Sequence, residues 1–256
     1  MTCALLLLLI FVVAMLYASV GHGGASGYLA VMSLLGGYSR AQMGSSALVL
    51  NLLVAGTACL MFGRAGHGSF QLLWPFVVGS VPAACVGGWL PVSSQTYGWL
   101  LAAVLCVAAV RLCLPARAER REAGGPALRH TEPLMRPRRS LAVLVGVGIG
   151  LISGVVGVGG GIFLSPLMML LRWADAPHTA AASAGFIAVN SVAGLMGRFV
   201  AGRCVMGPLV PLIVAALAGG VVGSRWGANR CSGVSLRRLL ALVLVIAAGK
   251  LVLGHG

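Results

Sequence analysis

The chain has 256 residues, of which 59% are apolar and 9% charged, with a mean hydropathy of +1.00. A soluble domain carries charge on roughly 25% of its residues, and disordered chains are poor in apolar residues. The composition excludes both classes and predicts an all-α integral membrane protein with many spans.

The net charge of +14 comes from 18 basic and four acidic residues. No basic stripe has interleaved aromatic residues, so we assign the excess of arginine to cytoplasmic loops and expect contact with a lipid bilayer, not with nucleic acid.

Ten apolar runs follow one another along the chain. They are residues 3–20, 28–36, 43–62, 70–90, 97–114, 141–156, 162–171, 179–200, 207–224 and 236–253. Eight have about 16–22 residues, which is enough helix to cross a bilayer. The runs 28–36 and 162–171 are shorter, and each follows a glycine cluster at 21–27 or 157–161. We therefore expect about eight full spans and two short helices that begin after glycine-rich breaks, with the first run retained as a span rather than cleaved as a signal peptide.

The two halves of the chain repeat each other. An offset of 136 aligns the two glycine clusters, and an offset of 139 aligns Asn51 with Asn190. An ordered series of such matches predicts an internal duplication. The expected organisation is a first transmembrane repeat at 1–114, a basic cytoplasmic linker at 115–140, and a second repeat at 141–256.

The distribution of basic residues bears on the orientation of the repeats. If the short runs cross the membrane, the halves are inverted, with 14 basic residues on the linker side and four on the other. If the short runs are re-entrant, the halves are parallel and the division is 12 to six. The positive-inside rule favours inverted halves by this narrow margin.

The glycine clusters are candidate binding sites. Non-helical backbone inside a membrane is tolerated only where protein or a water-filled cavity surrounds it, and a helix that restarts there offers free N–H groups and the positive end of its dipole to an anion. The candidate ligands are His22, Gly23 and Gly24 in the first cluster and Gly159, Gly160 and Gly161 in the second. The alternative is that these glycines only let helices pack closely.

Polar residues within the apolar runs form a second constellation. Ser45, Ser46 and Asn51 lie in one run, and Ser183 and Asn190, with the adjacent Ser191, lie in the equivalent run. An Asn inside an apolar run needs a polar partner. These side chains are predicted to line the anion path, or else to hydrogen-bond between helices.

His22 is the one imidazole beside a proposed site, and the second repeat has Val158 at its position. An imidazole titrates near neutral pH, so His22 could couple a proton to transport. It could equally donate a hydrogen bond or face water.

Several classes of chemistry have no signature in the chain. No acidic residue lies within an apolar run, which excludes the usual carboxylate relay of a proton pump. There is no P-loop, no His/Cys cluster with metal-ligand spacing and no nucleophile motif, so we expect neither an enzyme nor a bound cofactor or metal. Arginines that flank the runs, among them Arg198 and Arg203, are interpreted as anchors that extend to the interface.

The chain resembles the sulfite exporter TauE/SafE family. The resemblance rests on the glycine cluster Gly157 to Gly161 with the following Ile-Phe-Leu-Ser-Pro166, and on Ala-Ala-Ala-Ser183 through Asn190 to Gly194. The first half repeats it as Gly21-His22-Gly23-Gly24 and as Gly44-Ser45-Ser46 to Asn51. The first half departs from the pattern in lacking a proline equivalent to Pro166. The resemblance implies transport of sulfur-containing anions.

Together these features predict a secondary transporter that exports a small anion, with sulfite or an organosulfonate favoured, by alternating access at a site between the repeats. We expect it in the bacterial inner membrane, with a homo-oligomer as one option. The alternatives are an uncoupled anion channel and a membrane subunit or assembly factor of a larger complex.

Overall fold

The computed structural model describes residues 2–35, 37–68, 70–113, 138–171, 173–207 and 209–229, and all regular structure in these ranges is helical. The predicted run 236–253 and almost all of the linker 115–140 lie outside the described residues. The helices are α1 (Thr2–Ala18), α2 (Ala25–Leu35), α3 (Arg40–Phe62), α4 (Phe70–Trp89), α5 (Ser94–Cys113), α6 (Arg139–Val156), α7 (Gly161–Leu170), α8 (Ala176–Val200) and α9 (Leu209–Asn229), and a short π-helical turn, Gly63–His67, follows α3.

Five helical segments in the described ranges are long and apolar enough to cross a membrane: Arg40–His67, Phe70–Trp89, Arg139–Val156, Pro177–Val200 and Leu209–Trp226. Cys3–Ala18, Ala25–Leu35 and Ser94–Val110 are shorter apolar helices. The prediction of an all-helical membrane protein is therefore confirmed for the described ranges, and the total of eight spans stays a prediction.

Local signals set the starts of the two longest helices. Ser39 accepts a hydrogen bond from the Gln42 N–H while the Gln42 side chain accepts one from the Ser39 N–H, so α3 starts with a capping box. At the start of α8, Asp175 accepts from the backbone N–H of His178 at 3.0 Å, and Pro177 occupies the first turn. Both helices are thereby fixed at their first residues, and both carry candidate site residues further along.

Helices α4 and α6 pack closely through glycines. A Cβ atom at Gly79 would overlap the Val143 carbonyl, and one at Gly87 would overlap the Leu151 carbonyl. Small residues allow this backbone approach between helices in a membrane. The residue numbers on the two helices rise together, so α4 and α6 run parallel.

The packing of α9 on α1 repeats that of α4 on α6. A Cβ atom at Gly223 would overlap the Met15 carbonyl, as one at Gly87 would overlap the Leu151 carbonyl. At the offset of 136, Gly87 is equivalent to Gly223 and Met15 is equivalent to Leu151, so the two contacts are equivalent. Each half of the chain therefore contributes one helix to each pair.

Helices α3 and α8, which carry the equivalent asparagines, pack against each other in opposite directions. Leu48 near the start of α3 lies beside Gly194 near the end of α8. Cys59 near the end of α3 lies beside Gly185 in the first half of α8. Both glycine clusters lie against α3, since Cβ atoms at Gly23 and Gly159 would overlap Asn51.

Candidate functional site

Both glycine clusters interrupt the helices as the sequence predicts. The backbone between α1 and α2 has positive φ at Gly21 (75°) and Gly24 (92°), and the backbone between α6 and α7 has positive φ at Gly157, Gly159 and Gly160 (90°, 74° and 82°). This left-handed region costs an ordinary L-residue roughly 1–2 kcal/mol. We call residues 19–24 the first break and residues 157–160 the second break. Both are buried.

Asn51 links the two breaks. Its Oδ1 accepts a hydrogen bond from the N–H of Ala25, the first residue of α2, at 3.2 Å. Its Nδ2 donates to the carbonyl of Val158 in the second break at 3.1 Å and to Ser191 Oγ on α8 at 3.2 Å. One side chain in the middle of α3 therefore contacts the start of a short helix in the first half and the broken backbone of the second.

The Asn51 side chain leaves no space for a Cβ atom at two of the candidate glycines. A Cβ atom at Gly23 would overlap Asn51 Oδ1, and a Cβ atom at Gly159 would overlap Asn51 Nδ2. Glycine at both positions lets the backbone of each break approach the amide closely.

The remaining glycines face packed side chains instead. A Cβ atom at Gly24 would contact the Tyr28 ring, one at Gly160 the Phe186 ring, and one at Gly161 the Ile187 side chain. The neighbours of Gly160 and Gly161 are mainly apolar, whereas Gly24 lies beside the ring and hydroxyl of Tyr28.

Asn190 does not occupy a role equivalent to that of Asn51. Its Nδ2 donates to the carbonyl of Phe186 in its own helix at 2.9 Å, and its buried Oδ1 has no hydrogen-bond partner among the described atoms. The α8 side chain that meets Asn51 is the adjacent Ser191. Among the described residues, the Asn190 amide nitrogen therefore bonds back to its own turn and not to another helix, and its place on an anion path stays a prediction.

A second polar cluster joins the first break to the second half. His22 Nε2 lies 3.0 Å from Ser165 Oγ on α7, and Ser165 Oγ lies 2.7 Å from Ser183 Oγ on α8. All three residues are buried. The sequence analysis selected His22 and Ser183 but missed Ser165. Its place in the Ile-Phe-Leu-Ser motif, four residues into α7, was a signal for a site residue.

Ser45 and Ser46 lie apart from these contacts. Ser45 Oγ is 3.5 Å from the Arg203 carbonyl, and Ser46 Oγ is buried without a hydrogen-bond partner among the described atoms. The structure does not bring them to Asn51.

Arg198 corrects the expectation that the flanking arginines are interfacial anchors. Its side chain is only 7% exposed, and its Nη2 donates to the carbonyls of Val155 at 2.8 Å and Gly154 at 3.4 Å. These carbonyls belong to the last turn of α6, which has no intrahelical donors for them. A guanidinium placed there also interacts favourably with the negative end of the helix dipole. Arg198 is therefore a buried cation immediately before the second break.

Arg203 contacts the end of another helix in the same way. Its guanidinium donates to the carbonyl of Leu90 at 3.0 Å and to that of Trp89, where α4 ends. Asp175, the one acidic residue in the described part of the chain, bonds His178 at the start of α8 and contacts neither arginine. The ends of α4 and α6 are thus bound by cations, and no carboxylate of the described residues contacts either one.

The family model described as sulfite exporter TauE/SafE matches residues 6–251. The chain belongs to the TauE/SafE family. It is 34% identical over 241 residues to "Probable membrane transporter protein y4hK" of Sinorhizobium fredii (strain NBRC 101917 / NGR234), a match that covers 94% of each chain. No solved structure gives a significant match.

Membership of the TauE/SafE family, the transporter relative and five helices able to cross a bilayer support a multi-pass membrane transporter. The match covers both breaks and the polar residues between them, so the geometry described here lies within the family's matched region.

Proposed function

We propose that this TauE/SafE protein is a secondary transporter that exports a small anion, with sulfite or an organosulfonate as the favoured substrate, across the bacterial inner membrane. The observation that carries the proposal is the convergence of both breaks on Asn51 inside the helical bundle. Broken helices that meet near the middle of the membrane are a recurring design of transporter binding sites.

The charge of the substrate follows from the groups around the breaks. Short helices α2 and α7 begin at the breaks, and the first-turn N–H groups of a helix, together with its dipole, favour an anion. The buried Arg198 adds positive charge beside the second break, and the only acid of the described residues lies at the start of α8. A cation would find no carboxylate among these contacts. The family description supports sulfite as the first substrate to test.

Alternating access between two inverted repeats is the proposed mechanism. It is supported by the opposite directions of α3 and α8 and by the matching contacts Gly87–Leu151 and Gly223–Met15. In this scheme, residues 1–114 and 141–256 rock around the shared site, and the linker 115–140 joins them on the cytoplasmic side.

Purified protein in liposomes tests this function. Vesicles loaded with sulfite, thiosulfate, methanesulfonate or acetate should release at least one sulfur-containing anion faster than protein-free vesicles. Addition of the same anion outside should accelerate exchange of labelled anion, because a carrier that alternates returns faster when loaded. Flux of a metal cation without flux of any anion would refute the proposal. Anion flux without this acceleration would indicate a channel.

A further inference from the structure

The first turn of α2 has two backbone N–H groups that the protein itself does not use. The N–H of Ala25 donates to Asn51 Oδ1 at 3.2 Å, and that of Tyr28 donates to the carbonyl one turn earlier at 3.0 Å. Neither Ser26 nor Gly27 has an acceptor for its backbone N–H among the described residues. Both residues are buried, where an unpaired N–H is costly. The start of α2 therefore presents two available donors together with the positive end of the helix dipole.

The hydroxyl of Tyr28 lies at this same helix start. Tyr28 is fully buried (0% exposed), and its hydroxyl has no hydrogen-bond partner among the described residues. A Cβ atom built on Gly24, the residue before α2, would be 2.9 Å from the hydroxyl oxygen. The side chain thus extends back towards the N-terminus of α2, as helical side chains do, and brings its hydroxyl to the first break.

A buried tyrosine hydroxyl without a partner needs an explanation, since such groups usually find one. At the offset of 136 the second repeat has Leu164, which is equally buried, so the position can be filled without a hydroxyl. Other buried tyrosines have partners within the protein. The Tyr17 hydroxyl lies 2.9 Å from Ser26 Oγ. The Tyr97 hydroxyl donates to the Val156 carbonyl at 3.3 Å. The hydroxyl at the first break is therefore a donor available to a ligand.

We propose that the Tyr28 hydroxyl binds the transported anion directly, donating a hydrogen bond to one of its oxygen atoms while the N–H groups of Ser26 and Gly27 bind another. This inference rests on the proposed function, because that function puts the anion at the helix starts beside the breaks. An anion with at least two oxygen acceptors on one centre can bind both sets of donors at once. The substrate class is therefore oxyanions such as sulfonates and sulfite, and not monatomic halides.

Tyr28→Phe tests the hydroxyl alone, because the ring and its packing remain. In proteoliposomes, the KM should rise about 10- to 100-fold, the effect of losing a hydrogen bond to a charged group, while the maximal flux stays close to that of the wild type. The labelled anion is methanesulfonate or sulfite, whichever the wild type transports faster. In detergent without anion, the variant should melt at or above the wild-type temperature, since phenylalanine leaves no buried hydroxyl unpaired. A fixed concentration of the same anion should then raise the melting temperature of the variant less than that of the wild type.

Tyr97→Phe is the matched control, because its hydroxyl bonds a carbonyl of the protein. Its loss should lower the melting temperature without changing the KM. An unchanged KM in folded Tyr28→Phe protein, or a melting temperature below the wild type in the absence of anion, would overturn the assignment of this hydroxyl to the anion and leave the transporter assignment intact. Absence of flux for every anion in the wild type would instead refute the proposed function itself.

Discussion

The side-chain amide of Asn51 donates a hydrogen bond to the carbonyl of Val158, 107 residues later in the chain. This bond fixes the second break against α3, while the amide oxygen of the same residue holds the start of α2. Loss of the side chain would release both breaks together.

Asn51→Ala is expected to reduce anion flux on the order of 100-fold, the scale of loss that follows displacement of binding groups by about 1 Å. Thr57→Ala on the same helix is the control, because among the described residues the Thr57 hydroxyl donates to the Leu53 carbonyl of its own turn and contacts neither break. Flux in proteoliposomes is measured alongside size-exclusion profiles in detergent. Equal flux in the two folded variants would contradict a central role for Asn51.

Gly159→Ala should destabilise the protein. The residue has φ of +74°, and a Cβ atom there would overlap the Asn51 amide. The backbone strain alone is about 1–2 kcal/mol. Gly148→Ala is the matched control, since Gly148 is helical, exposed and has open space around its Cβ position. In that context alanine is expected to be neutral or to stabilise by about 0.5–1 kcal/mol. Thermal unfolding in detergent should give Gly159→Ala a lower melting temperature than the wild type, and Gly148→Ala an equal or higher one. A wild-type melting temperature for Gly159→Ala would contradict the geometry of the break.

Arg198→Gln should lower the free energy of unfolding by about 1.5–3 kcal/mol, the usual contribution of a hydrogen bond to a charged group. The loss arises because the Val155 carbonyl at the end of α6 loses its cationic donor. Arg40→Gln, at an exposed position at the start of α3, should change the stability by less than about 0.5 kcal/mol. If the two substitutions had equal effects in the same unfolding assay, the helix-capping role of Arg198 would be excluded.

The orientation of the repeats can be tested with single cysteines in a background from which the native cysteines are removed. Ser93 precedes α5, and Asn229, its equivalent at the offset of 136, is the last residue of α9. Inverted repeats place equivalent positions on opposite sides of the membrane. A membrane-impermeant maleimide should therefore label only one of Ser93→Cys and Asn229→Cys in intact cells, and both after permeabilisation. Labelling of both in intact cells would favour parallel repeats.

Much of the site's framework could be predicted from the sequence because its signals are local. A cluster such as Gly157 to Gly161 between two apolar runs breaks a helix whatever surrounds it, and the structure starts α7 at Gly161. Similarly, an Asn in an apolar run must find a polar partner, and Asn51 does. The partners themselves, in the other half of the chain, could not be identified from the sequence.

Arg198 and Ser165 show where local signals were insufficient. An arginine near the end of a run has the same sequence signature whether it extends to the interface or turns inward, and only the packing of α8 against α6 brings its guanidinium to the Val155 carbonyl. The motif that contains Ser165 marks it as a candidate, but only the placement of α7 against the first break identifies His22 as its partner.

The sequence by itself determined that this is a helical membrane protein, where its helices break, and that its spans contain no carboxylate, because apolarity, glycine content and charge act on each segment directly. Only the tertiary structure decided that Asn51 rather than Asn190 joins the breaks and that His22 meets Ser165 of α7. Those relationships depend on the register in which distant helices pack, and that register is set by backbone-to-backbone contacts such as Gly87 against Leu151.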